Sequence, residues 1–411
     1  MNVVLVVADS LRADALGAYG GAVATPTLDR LAAEGARAET AFSAAPWTLP
    51  SLAAMLTGAY PHRVGLIHWR QPWPASRPTI FERFRDAGFE TASFVFNPDY
   101  LFTGLCAAGV RGASTDEEKM FSWIAGQPAK NRFLFLHYWG THFPYVAKTM
   151  APGAWKAASD GVLAAMNEDP AHREKVRAMY RLAVARFSEA WLPRLLEALA
   201  PAGETLLAVA ADHGEVWGER KGEGEPIRGV FDLHGNSLHE ESLRIPLILH
   251  APRRIPPGVR VSGLVRTVDI GPTLLELAGV GGGLSPDADG VSLARVFRQG
   301  GTAGTRTSLA VGTRKLHQIL DGEVVPLEPD SVWDRWSLRT ADRKWIWEPA
   351  ENRRRVYDLA ADPAERFPLD GGAADAFGWE ILESERKRSR LEPVAGDIIE
   401  RERRRARTEG T

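Results

Sequence analysis

The sequence predicts an α/β protein built around a mostly parallel sheet that is buried on both faces. Three observations carry that prediction. First, four short apolar runs, at 3–8, 92–96, 133–136 and 206–211, each stop at a polar or metal-binding residue: Asp9, Asn97, His137 and Asp212-His213. Second, helical segments alternate with these runs, and continuous apolar runs in that setting read as strands covered on both faces. Third, strand-rich stretches beyond residue 305 (Leu309-Ala310-Val311, Trp345-Ile346-Trp347) point to a small C-terminal subdomain. In open α/β sheets ligands bind beyond the carboxyl ends of the strands. Asp9, Asn97, His137, Asp212 and His213 are therefore expected along one rim, with His142 close by, as in a metal-dependent enzyme.

The elements follow in order. The first strand covers 3–8. A helix is expected at 27–34, where Leu28, Leu31 and Ala32 recur at helical spacing, and a second from Thr48 to about Leu56. Residues 81–87 read as helix and 89–96 as strand. The stretch 157–200 reads as mostly helical, with an apolar stripe at Leu182, Phe187, Trp191, Leu195 and Leu199, and the strand 205–211 follows. Residues 214–236, rich in glycine and charge, form a long loop beside the rim, where such loops tend to be functional. A strand is expected at 245–249, a helix at 268–277 with Pro272 in its first turns, and a flexible link at 280–290. Residues 1–300 would then form the main domain, 301–379 the subdomain packed on it, and 380–411 a charged tail.

Composition narrows the function classes. In this chain of 411 residues, Lys+Arg 50 against Asp+Glu 52 leaves a net charge of -2, so nothing points to nucleic acid or a membrane surface. The single cysteine, Cys106, rules out an internal disulfide framework. The first apolar run is too short for a secretory leader, and no run reaches the roughly 20 residues of a spanning helix. A cytoplasmic location is the expectation; the oligomeric state is left open.

Asp212-His213-Gly214-Glu215 after a buried strand is the strongest local signal, because adjacent Asp and His at a strand end can face one cation. Asp9, at the end of the first strand, is the natural third ligand. Thr48 reads as the N-cap of the segment Thr48-Leu49-Pro50-Ser51, with Gly58 closing the helix. A hydroxyl there has a helix N-terminus behind it, an anion site, but needs a base or metal to become a nucleophile. His137, His142 and His234 could hold substrate oxygens or protonate a leaving group. His62 and His239 read as structural.

The motifs VVLVVADSLRADALGAYG, TPTLDRLAAEGA, WTLPSLAAMLTGAYPHRVG, HYWGTHFPY, ADHGE, HGNSLHEESLRIPLIL, VDIGPTLLELAG, DGVSL and VYDLAADPAE occur in an order that resembles the sulfatase family of the alkaline phosphatase superfamily. The resemblance implies a large mixed sheet sandwiched by helices and a small C-terminal α+β subdomain. It implies that Asp9, Asp212 and His213 bind a metal and that Thr48 is the metal-bound nucleophile. His137, His142 and His234 would be catalytic, and Asn97 and Arg63 substrate contacts.

The departures from that family pattern shape the expected chemistry. A sulfatase has Cys or Ser, oxidised to formylglycine, where this chain has Thr48, and Arg where it has Leu52. Ser10 replaces the second acidic residue, and Val95-Phe96-Asn97 replaces the second signature. Threonine cannot yield the aldehyde. The expectation is a hydrolase of a small-molecule phosphate or phosphonate ester, or a sulfate ester, that works through a covalent intermediate on Thr48. One divalent metal ion is implied, with zinc or manganese ahead of calcium or magnesium. The competing readings are a phosphoethanolamine-type transferase and a non-catalytic metal-binding member.

Overall fold

The computed structural model describes residues 1–66, 77–95, 116–126, 131–145, 170–217, 219, 233–235, 237–313, 334–369, 376–391, 400 and 404. Among them, nine strands form one sheet and four a second. The strands are β1 (Asn2–Ala8), β2 (Ala36–Phe42), β3 (Glu90–Val95), β4 (Arg132–Tyr138), β5 (Thr205–Ala211), β6 (Arg244–Ile245), β7 (Leu247–His250), β8 (Val259–Arg266), β9 (Gly301–Thr302), β10 (Ser308–Thr313), β11 (Asp334–Arg339), β12 (Arg343–Glu348) and β13 (Arg353–Asp358). The large sheet runs β3-β4-β1-β5-β7-β2-β8-β9, with β6 pairing to β2. Strands β3, β4, β1 and β5 are mutually parallel, and β7 enters antiparallel to both β5 and β2.

All seven residues of β1 are buried, as expected for a strand covered on both faces. Its neighbours end at the same level: Val7 lies opposite His137 and Ala210, and Ala8 opposite Tyr138 and Ala211. This register alone sets Asp9 and Asp212 abreast, with His137 two positions earlier on the neighbouring strand.

Side chains of β4 alternate between the two faces, as strand geometry requires. Phe133 and Phe135 meet the helix Ile80–Asp86 through Phe81 and Phe84, with the Phe84 and Phe133 rings stacked 4.5 Å apart. Tyr138 points the other way, onto Phe187 and Trp191 at 4.7 and 5.0 Å.

Phe187–Trp191 is a π-helical turn between the helices Pro170–Arg186 and Leu192–Leu199. Burial before that turn follows Val176, Tyr180, Ala183, Val184 and Phe187, so Leu182 falls off the apolar face and is 71% exposed. The stripe expected through Leu182 is corrected accordingly. Ser188, inside the turn, accepts the Thr27 and Leu28 N–H groups at 3.1 and 3.3 Å and so caps the helix Pro26–Glu34 from a distance.

The strand expected at 245–249 is two strands, β6 and β7, because Pro246 has no N–H for the ladder. On the face that carries the candidate nucleophile, the helices Thr48–Thr57 and Thr267–Ala278 pack together. Gly271 permits this: a Cβ there would lie 3.1 Å from the Met55 carbonyl and 2.7 Å from Leu284. No helix among the described residues is long and apolar enough to cross a membrane.

The second sheet is an antiparallel meander, β10-β11-β12-β13. The helix Ala376–Lys387 crosses the expected start of the charged tail and buries Leu382 in the subdomain core. Its far end is tied to the main domain. His62 Nε2 meets Glu385 Oε2 at 3.0 Å, and Arg63 bridges Glu385 (3.0 Å) and Asp289 (2.8 Å).

The hydrogen bond with His62, and then the Arg63 pair, hold the Glu385 carboxyl down from 4.5 to about 2. A carboxyl lowered in the fold adds stability above its unfolded value and loses it as pH falls toward its folded one. The docking of this helix is therefore expected to weaken between about pH 4.5 and 2, with Glu385→Gln removing the dependence. Hydrogen exchange in residues 376–387 against pH is the measurement; equal slopes in both proteins would contradict the assignment.

Candidate active site

Three strand ends converge at the rim. Asp9 follows β1, Asp212 and His213 follow β5, and His137 lies one residue before the end of β4. One ligand atom from each of Asp9, Asp212 and His213 lies within 4.8 Å of the others, and all three residues are buried. Ser10 fixes the two carboxylates. Its backbone is left-handed (φ 59), which lets its N–H donate to Asp212 Oδ1 at 3.1 Å and its hydroxyl to Asp9 Oδ1 at 3.0 Å. The His213 N–H also donates to Asp212 Oδ1, at 2.8 Å.

The tautomer of His213 follows from its surroundings. Nδ1 sits 2.7 Å from the Gly214 carbonyl, which can only accept, so Nδ1 carries the proton and Nε2 keeps its lone pair. Nε2 lies 3.5 Å from Asp212 Oδ2, 3.7 Å from Asp9 Oδ1 and 3.2 Å from Thr48 Oγ1.

Electrostatics say what this cluster lacks. Burial pushes the Asp9 carboxyl up, but His142 and His137 outweigh it and hold the carboxyl well below its ordinary value. Burial likewise opposes charge on His137, yet Asp212 and Asp9 prevail and push it up to about 9. Asp212 Oδ2 and both His137 nitrogens are buried without a hydrogen bond among the described residues. An unsatisfied buried carboxylate oxygen is costly. Two buried carboxylates and an imidazole lone pair converging on one point fit a divalent cation.

Thr48 is placed differently from the expectation. The N-cap is Trp47, extended at φ -154 and ψ 164, and Thr48 is the first helical residue with no capping bond. Its hydroxyl is thus not spent on its own helix. It turns to the ligand cluster, 3.5 Å from Asp9 Oδ2 and 3.2 Å from His213 Nε2. One turn on, the Ser51 hydroxyl donates to the Asp212 carbonyl at 2.6 Å and pins the helix start against the ligand loop. Gly58 ends the helix in a left-handed conformation, as anticipated. Leu52 is buried in the core.

The histidines divide into groups. His137 stands between the carboxylates, with Nε2 3.4 Å from Asp9 Oδ2 and 3.7 Å from Asp212 Oδ2. The His234 ring lies 4.8 Å from that of His213 and 5.0 Å from that of His142, so His142 and His234 also belong to the rim. His62 is held by Glu385 and His239 by Glu365, both in packing roles. Arg63, expected to touch substrate, is occupied by Asp289 and Glu385. Asn97 lies outside the described residues.

Sequence reading missed Ser10, Ser51, Glu215 and Tyr145 as parts of this site. Two of these had a signal: Ser10 at the family's second acidic position, and Glu215 directly after Asp-His-Gly. A cavity of about 510 Å³ lined by residues including Arg12, Asp14, Glu240 and Arg244 has none of the ligand residues in its lining. The convergence of buried ligands, rather than cavity size, marks the site.

The family described as Sulfatase matches residues 1–103 and 117–280 of the chain. N-acetylglucosamine-6-O-sulfatase of Bacteroides thetaiotaomicron is 23% identical over 509 residues, spanning 94% of this chain and 86% of the relative. Among solved structures, a phosphonate monoester hydrolase of Agrobacterium radiobacter aligns with a TM-score of 0.70 at 19% identity, covering 96% of this chain and 95% of that one. A 2-O GAG sulfatase aligns with a TM-score of 0.71 at 18% identity, covering 99% and 93%. At such identities the two structural likenesses establish the shared fold.

Proposed function

The chain belongs to the sulfatase family of ester hydrolases in the alkaline phosphatase superfamily, and from that premise we propose a metal-dependent hydrolase of phosphate or phosphonate esters, with sulfate esters as the further candidate class, that works through Thr48. The observation that carries this reading is the Thr48 hydroxyl at a helix start, turned onto His213 and Asp9 instead of capping its helix.

Asp9, Asp212 and His213 would hold the metal, with zinc or manganese suiting two carboxylates and an imidazole better than calcium or magnesium. A divalent cation held there would supply Lewis acidity, making a neighbouring hydroxyl more acidic and offsetting negative charge in the transition state. The Thr48 oxygen then attacks phosphorus in line, giving up its proton to solvent (from which it is later recovered), and the bond from phosphorus to the leaving oxygen breaks. His234 gives that oxygen a proton, while His142 and the N-terminus of the helix Thr48–Thr57 stabilise the charge on the phosphoryl oxygens. Water next attacks phosphorus, the Thr48 oxygen–phosphorus bond breaks, and Thr48 recovers its proton. His137, wedged against Asp9 and Asp212, would orient the two carboxylates. Asn97 remains a candidate substrate contact.

The test is elemental analysis of the purified protein, paired with turnover of matched nitrophenyl phosphate monoester, phosphodiester, phosphonate monoester and sulfate. Bound divalent metal with turnover of a phosphoryl or phosphonyl ester is expected. A metal-bound protein inactive on all four would contradict the reading, and turnover of the sulfate ester alone would transfer the same chemistry to sulfur.

A further inference from the structure

Glu215 is completely buried, and its polar groups are all engaged. Its N–H donates to the Glu241 carbonyl at 3.1 Å, and its own carbonyl accepts from Arg12 Nη1 at 3.0 Å. Side-chain Oε2 accepts from the Tyr145 hydroxyl at 2.8 Å, and Oε1 lies 2.8 Å from His234 Nδ1. The Tyr145 oxygen in turn accepts from the Trp217 indole at 3.1 Å. Tyr145 makes this contact from a left-handed backbone (φ 61), a conformation unfavourable for a residue with a side chain. Burial, and then the Glu215 charge, hold its phenol well above the ordinary value, so it stays a donor. The next residue back is also constrained: a Cβ at Gly214 would lie 2.0 Å from the Glu241 carbonyl.

We infer that Glu215 is a positioning residue for His234, holding the imidazole in one tautomer and one orientation toward the leaving group. The inference rests on the assignment of His234 as the leaving-group acid. A carboxylate accepts, so Nδ1 carries a proton bonded to Glu215, and the proton passed to the leaving group would come from Nε2. As the ester bond breaks, its electron pair goes to the leaving oxygen, which takes the Nε2 proton. The Nδ1 proton stays with the Glu215 hydrogen bond, and the attacking water later restores Nε2. Tyr145, held by Trp217, keeps the carboxylate from turning away. The arrangement resembles the outer partners that orient a metal-bound histidine, except that here the oriented histidine serves the leaving group.

The experiment compares the wild type with Glu215→Gln, Tyr145→Phe, His234→Ala and the Glu215→Gln/His234→Ala double variant. Each is assayed on aryl esters of the substrate class established by the panel, from 4-nitrophenyl to phenyl, with metal content measured throughout. A good leaving group needs no proton, so Glu215→Gln is expected to lose roughly 10- to 100-fold in kcat on the phenyl ester and about threefold or less on the nitrophenyl ester. Tyr145→Phe should follow the same pattern more weakly, and the double variant should be no slower than His234→Ala. Equal losses on all esters, or additive losses in the double variant, would overturn the inference while leaving His234 as the acid. A His234→Ala variant with wild-type leaving-group dependence would overturn the acid assignment itself, and the inference with it.

Discussion

Thr48→Ala is expected to lower turnover by roughly a thousandfold or more, since losing a covalent nucleophile removes the step on which the others depend. The fold should survive. Thr48 is only 5% exposed, but the substitution removes a hydroxyl and one methyl, and no helix-capping bond is lost. Stability should change by about 1 kcal/mol, the usual scale for a small buried truncation. Metal content should persist, because Asp9, Asp212 and His213 remain. Thr48→Ser, which keeps the oxygen, should recover part of the rate. An alanine variant that turns over within tenfold of wild type would eliminate Thr48 as the nucleophile.

Removing the metal should have the second large effect, on activity and stability together. Asp9 and Asp212 are buried side by side, offset among the described residues only by imidazoles. A cation that binds only the folded chain stabilises it by about 4 kcal/mol at a thousand times its Kd. Chelation should therefore abolish turnover and lower the Tm by several degrees, and readdition of zinc or manganese should reverse both. Asp212→Asn should weaken metal binding and show little further response to chelator. Thermal unfolding with and without chelator, read beside activity, is the check. An unchanged Tm with full activity after verified metal removal would rule out a metal in the reaction.

How much of this was legible in the sequence depends on how local each cause is. The rim was readable because β1, β4 and β5 are covered on both faces, which makes them uninterrupted apolar runs whose ends mark Asp9, His137 and Asp212. By contrast, β2 (Ala-Arg-Ala-Glu-Thr-Ala-Phe) and β8, interrupted by Ser262 and Gly263, carry polar residues and weak strand formers. Their pairing with each other, more than 200 residues apart in sequence, creates them. Leu182 looked like part of a helical stripe because the π turn that shifts the phase leaves no mark in composition.

At the site, residue type pointed to Asp212-His213 directly. The one-residue shift that frees the Thr48 hydroxyl depends on the backbone angles of Trp47. Ser10 joins the carboxylates only because its φ is positive. Glu215 and Tyr145 meet across 70 residues of chain, a pairing no spacing rule encodes.

The central claim is that Thr48 carries the reaction covalently. Acid quenching during steady-state turnover of a phosphoryl or phosphonyl ester, followed by proteolysis and mass mapping of the peptide containing residues 48–58, tests it most directly. The account predicts the transferred group on the Thr48 oxygen, accumulating when a good leaving group makes the first step fast and absent in the Asp212→Asn protein. Turnover with residue 48 unmodified at every quench time, or the group on another residue, would contradict it.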